Sequence, residues 1–228
     1  MLGRVGNLKS LAIKYDDSRP IPPLDRDLLP PTRTVLPALI HFKYFWVFEY
    51  LEDLVARIDA PLLDSIYITS YQQVIFDIPQ FDRFMRRTTL FQKLNEAHVD
   101  FDTHGVHINS LPPTQNFDKE PESGFRISCE KQDWEVSSLR SILTSLSFSI
   151  YMVEHLYIYG PEELRTQFWR NGIKDMQWLG IFHPFISVKN LYLYKAIAQC
   201  IAPALQDLVR EKVTNALPAL ESILLEEL

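Results

Sequence analysis

The chain has 228 residues, 46% hydrophobic and 23% charged, with 29 acidic against 23 basic side chains and a formal charge of -6. This is ordinary globular composition, and it excludes a general electrostatic attraction to nucleic acid or anionic lipid. Two distant cysteines, Cys129 and Cys200, are too few for a secreted disulfide framework and favour a reducing, intracellular compartment, cytoplasmic or nuclear. No run approaches about 18 apolar residues, so no membrane helix is expected. Met1 to Ala12 lacks the basic segment and apolar core of a signal peptide.

The first element is a short strand with the spacing Leu8-x-x-Leu11-x-Ile13. The same apolar spacing returns at Leu39, Phe42, Tyr44; at Leu63, Ile66, Ile68; and at Leu94, Ala97, Val99. It returns again at Val153, Leu156, Ile158; at Val188, Leu191, Leu193; and at Leu220, Ile223, Leu225. The intervals between leading residues are 31, 24, 31, 59, 35 and 32, the fourth about twice the others. An L-x-x-L-x-L pattern recurring at such intervals is a leucine-rich-repeat signature. Each strand is too short to bury its apolar face alone, and stacking joins those faces into one core. The expected fold is therefore α/β: an irregular leucine-rich-repeat solenoid, a curved parallel sheet with helices on the convex side, forming one domain over residues 1–228. Neither end carries a polar capping unit, so the chain reads as a fragment of a longer array.

Between the strands, residues 18–37 hold Pro20, Pro22, Pro23, Pro30, Pro31 and Pro37, which forbid regular helix and predict a proline-rich loop, read as a spacer rather than a docking motif. Leu51, Leu54, Val55 and Ile58 form one apolar stripe, predicting a helix over Tyr50 to Ile58 that stops at Asp59-Ala60-Pro61. Asp77-Ile78-Pro79 opens another, with Phe81, Phe84 and Met85 inward and Arg83, Arg86 and Arg87 outward. In the long interval, Val106 to Ile108 and Phe125 to Ile127 read as an extra pair of strands joined by a flexible insertion loop, 109–123, filling the place of a missing unit. Val136, Leu139, Ile142, Leu143 and Leu146 predict an amphipathic helix. Further helices are expected after Gly160-Pro161, over Met176 to Phe182, and from Ile197 to Val209 with a kink or restart at Pro203.

No phosphate loop and no G-x-S-x-G elbow occur. His104-x-x-His107, with His98 and Cys129, lacks the paired cysteines of a structural zinc site, and a strand turns the two histidines to opposite faces. Cys129 with His155 or His183 has no nucleophile signature, and Asp100 with Asp102 is read as a solvated strand end before an acid–base dyad. The chain is therefore read as a non-enzyme with no cofactor or metal.

The face alternating with the core carries the functional expectation. It displays His41 and Lys43; Ser65, Tyr67 and Thr69; Glu96, His98 and Asp100; His155, Tyr157 and Tyr159; and Asn190, Tyr192 and Tyr194. Tyrosine gives large amphipathic contact area at low entropic cost, against the plain alternative that it favours strands. Lys43, Ser65, Tyr67, Thr69, His98, His155, Tyr157, Tyr159, Asn190, Tyr192 and Tyr194 are the expected partner-binding residues, for a protein partner and not for nucleic acid or membrane.

The runs Leu36-Pro37-Ala38-Leu39, Ile58 to Thr69, Val153-Glu154-His155-Leu156, Phe182-His183-Pro184-Phe185 and Val188-Lys189-Asn190-Leu191 together resemble the F-box-like leucine-rich-repeat proteins of basidiomycete fungi. The resemblance implies the substrate-binding region of an F-box-type ubiquitin-ligase receptor. A Skp-type adaptor is implied only if an F-box lies outside this chain, since Met1 to Ser10 is too short and Ser18 to Pro37 too proline-rich for one. The alternative is a structural or assembly scaffold without a ubiquitin-ligase link.

Overall fold

The computed structural model describes residues 6–14, 33–46, 48–71, 78–88, 95–101, 105–110, 124–130, 140, 143–144, 150–160, 175–210 and 216–226. The amphipathic stretch after Val136 lies largely outside these, as do the insertion loop beyond Ser110, most of 18–37, and the helix expected after Gly160.

A small local device launches four of the strands. In Leu36-Pro37-Ala38-Leu39 the Leu39 amide donates to the Leu36 carbonyl, and the same turn closes from Leu63 to Ala60, from Val153 to Ile150 and from Leu220 to Leu217. Pro37, Pro61 and Pro218 sit second in their turns, where the fixed φ of proline is pre-set. Leu39, Leu63, Val153 and Val188, leading their units, are fully buried.

The strands that follow are β1 (Ser10–Lys14), β3 (His41–Phe45), β5 (Ser65–Tyr71), β6 (Glu96–Phe101), β7 (Gly105–Asn109), β8 (Gly124–Glu130), β9 (His155–Tyr159), β10 (Asn190–Tyr194) and β11 (Ser222–Glu226). They form one nine-stranded sheet in the order β1-β3-β5-β8-β7-β6-β9-β10-β11. Two further short strands, β2 (Thr34–Val35) and β4 (Ile58–Asp59), pair in a separate parallel sheet.

This corrects the expected solenoid on a parallel sheet. The sheet is mixed, because β7 runs antiparallel to both β6 and β8. β6 and β7 are joined by only three residues, 102–104. A link that short forms a hairpin, whereas a parallel neighbour needs a crossover of a dozen or more. The hairpin also inverts the spatial order, so that β5 meets β8 and β6 meets β9. Other pairings, β1 with β3, β3 with β5, and β9 with β10 and β10 with β11, are parallel and in register.

The described helices are α1 (Phe48–Arg57), α2 (Pro79–Arg86), α3 (Asp175–Phe182) and α4 (Lys195–Arg210). α2 meets the apolar sheet face through Phe84, whose ring lies edge-on to Phe42 at 6.3 Å, and α3 through Trp178, edge-on to Phe101 at 5.6 Å. Phe81, Phe84 and Met85 are buried, as their spacing predicts, while Arg87 turns back to bind Asp59 at 2.8 Å instead of facing solvent. Nothing on its own side chains caps α2: Ile78 precedes it, and the Glu52 carboxylate of α1 accepts the Gln80 and Phe81 amides at 2.8 and 2.7 Å. Two expectations shift. α1 ends at Arg57 because Ile58 and Asp59 extend to pair with Thr34 and Val35 inside the segment read as loop. α4 runs through Pro203 without restarting, with Pro203 exposed.

Candidate functional site

The period-2 alternation of short strands turns one residue set toward the helices and the other to the opposite face. In β3, β9 and β10 buried and half-buried residues alternate strictly. In-register pairing then lines up the outward residues of neighbouring strands in rows. One row joins His98, Tyr157, Tyr192 and Leu224; the next joins His107, Asp100, Tyr159, Tyr194 and Glu226.

Strands in a sheet lie about 4.8 Å apart, close to the separation of stacked rings, so aromatic residues in a row stack. His98 lies on Tyr157 at 4.5 Å and 10° between planes, and Tyr157 on Tyr192 at 4.2 Å and 9°. In the neighbouring row Tyr159 and Tyr194 are 4.2 Å apart. The hydroxyls are joined as well. Tyr159 Oη lies 2.8 Å from His98 Nδ1, Tyr159 hydrogen-bonds Tyr194, and Tyr194 hydrogen-bonds Glu226. A carboxylate can only accept, so Tyr194 donates to Glu226. At the other end Glu96 lies 3.7 Å from Nε2 of His98, and which ring nitrogen carries the proton decides the sense of the His98–Tyr159 bond. Nε2 of His98 is buried without a hydrogen-bond partner.

Burial governs the titration of this cluster. It holds the His98 imidazole below its ordinary range, against the opposing pull of Glu96. It pushes the Tyr157 hydroxyl up to about 12, with Tyr192 adding to the shift. Tyr159 and Tyr194 are raised for the same reason, then by their hydrogen bonds to Tyr194 and Glu226 respectively. Outside the strand edge, Glu154 and Lys189 form an exposed ion pair at 2.8 Å that lowers the carboxyl and raises the amine.

Of the residues expected to meet a partner, seven come together: His98, His155, Tyr157, Tyr159, Asn190, Tyr192 and Tyr194 occupy β6, β9 and β10. Lys43, Ser65, Tyr67 and Thr69 stand apart on β3 and β5, because β8 and β7 intervene. Three of the eleven are not available for contact. His98 and Thr69 are each 1% exposed, and Ser65 is buried beside His41 Nδ1 at 2.9 Å. Tyr67 stays half-buried against Phe45 at 5.4 Å, and Lys43 is half-buried. His155 and Asn190 are tied into a row of long contacts at 3.4 Å, ending in a 2.5 Å hydrogen bond from Ser222 to Asn190.

Asp100 corrects a second expectation. It is buried opposite His107, also buried, and is no solvated strand end; Asp102 and His104 lie outside the described residues. Glu226 escaped the sequence reading, although the alternation that picks out Tyr192 and Tyr194 picks out Leu224 and Glu226 one strand later. Among the described residues no group of three or more His, Cys, Asp or Glu side chains is placed to hold a metal ion, and no helix is long and apolar enough to cross a membrane. No family model matches the chain, and neither a curated protein nor a solved structure matches it.

Proposed function

We propose that the chain is a non-enzymatic protein-recognition module whose contact surface is the tyrosine array of β9 and β10. The observation that supports this is that Tyr157, Tyr159, Tyr192 and Tyr194 are half-exposed yet already in ring contact in two pairs on one face, with Tyr159 hydrogen-bonded to His98. Side chains ordered before contact lose little further freedom on binding, and aromatic residues of this kind dominate interface energetics. The narrower reading, a substrate receptor of an F-box-type ubiquitin ligase, draws only on the resemblance of sequence phrases. It predicts that the full gene product co-purifies with a Skp-type adaptor.

The test is capture from an extract of the source organism by the immobilised chain. Tyr157→Ala combined with Tyr192→Ala is expected to weaken capture of a specific protein by about 30-fold or more, the loss of a hot spot, while circular dichroism shows the fold retained. Undiminished capture by the folded double variant refutes the assignment. Loss on Arg86→Glu instead moves the contact to the helices and favours the scaffold reading.

A further inference from the structure

The two outer strands of the nine-stranded sheet, β1 and β11, each leave an edge without a partner strand among the described residues. Such edges are ready to pair with another chain unless something blunts them. β11 is not blunted: Ile223, Leu224 and Leu225 are 44%, 40% and 70% exposed. At the other edge Leu11 and Ile13 are half-buried, and Ser10, Ala12 and Lys14 are exposed.

The two edges are the two halves of a contact that the molecule makes five times internally. The carbonyl just before one strand accepts the first two amides of the next. Lys9 accepts from Ile40 and His41, Ile40 from Asp64 and Ser65, Asn95 from Glu154 and His155, Glu154 from Lys189 and Asn190, and Lys189 from Glu221 and Ser222. The next acceptor in that series is the Glu221 carbonyl, and the first donors are the Lys9 and Ser10 amides. The side chains continue it too. Glu154 pairs with Lys189 at 2.8 Å, and Lys189 is further favoured by Glu221; the next cation in the alternation is Lys9.

We infer that copies of this chain associate head to tail, β11 of one adding in parallel to β1 of the next, with Ser222 opposite Ser10 and Glu226 opposite Lys14. In that register Glu221 meets Lys9 of the neighbouring copy, Glu226 meets its Lys14, and Ile223 and Leu225 continue onto its Leu11 and Ile13. Charge selects this arrangement over two-fold pairing. Antiparallel β11 on β11 sets Glu221 of each copy beside Glu226 of the other, and β1 on β1 sets Lys9 beside Lys14. Head-to-tail contacts are heterologous, so they build chains or rings and do not stop at a dimer by symmetry. The inference does not depend on the recognition role of the tyrosines.

Sedimentation velocity of the full chain at low salt, from about 1 μM to about 1 mM, tests it. The weight-average mass is expected to rise with concentration past that of a dimer. Glu221→Lys and Lys9→Glu are each expected to weaken association by roughly tenfold, and their combination to restore it. Ala12→Pro removes an amide that points away from β3 and is expected to leave the chain monomeric with its circular dichroism unchanged. Should this variant fail to fold, the charge-swap pair still decides. A monomer at every concentration, a dimer that grows no further, or association indifferent to Glu221→Lys overturns the inference.

Discussion

Replacing Tyr159 by phenylalanine tests the hydrogen-bond relay with almost no change of shape. The ring and its 4.2 Å contact with Tyr194 stay, and one oxygen is lost. That oxygen is the hydrogen-bond partner of Nδ1 of His98 at 2.8 Å. His98 is 1% exposed and its Nε2 already lacks a partner, so in the variant neither ring nitrogen is satisfied. Leaving a buried polar group unpaired costs about 1–3 kcal/mol, a fall in melting temperature of roughly 2–12 °C for a chain of this length. Tyr194→Phe is the control. It breaks the same relay further out, where Tyr194 is half-exposed and water replaces the lost partner, so its cost is expected below about 1 kcal/mol. Urea unfolding at neutral pH, followed by circular dichroism, reads both. Tyr159→Phe within about 0.5 kcal/mol of the parent, or Tyr194→Phe equally damaging, refutes the relay as drawn.

Two further outcomes follow from the same contacts. Burial lowers the His98 pKa below its ordinary 6.5, so between the folded value and 6.5 the unfolded chain holds a proton that the folded chain does not. The stability contribution is complete above 6.5 and declines as pH falls through that window, by up to about 1.4 kcal/mol per pH unit. Urea midpoints measured from pH 7 downward should show this slope, and His98→Gln should remove its share; an unchanged slope in the variant assigns the dependence elsewhere. Glu52→Ala deletes the carboxylate that accepts the first two free amides of α2, and is expected to cost about 1.5–3 kcal/mol by thermal unfolding, the range for hydrogen bonds to a charged group. Glu52→Gln should recover part of it, since an amide oxygen still accepts.

The candidate site was half legible in the sequence. Tyr157 and Tyr192 are called outward by the alternation between Leu156 and Ile158 and between Leu191 and Leu193, and outward is where they stand. The same alternation calls His98, Thr69 and Asp100 outward, yet they are buried. Alternation determines the face a side chain leaves by; it carries no information on what covers that face. Glu52 illustrates the same limit for a helix end. Ile78 offers no cap, and the acceptor that replaces it lies 28 residues before Gln80.

What the sequence determined by itself is local: the positions of the nine strands of the main sheet and their core-facing residues. A strand repeats every two residues, so it is written in neighbouring side chains. The order of strands and their directions were decided only in three dimensions. The three-residue link between β6 and β7 compelled a hairpin, the hairpin presented β8 and not β6 to β5, and a sheet expected to be parallel became mixed. Each strand there is a legitimate partner for several others, and backbone hydrogen bonds do not distinguish among them. The choice lies in chain connectivity and in which edge remains free, and neither is visible in the spacing of leucines.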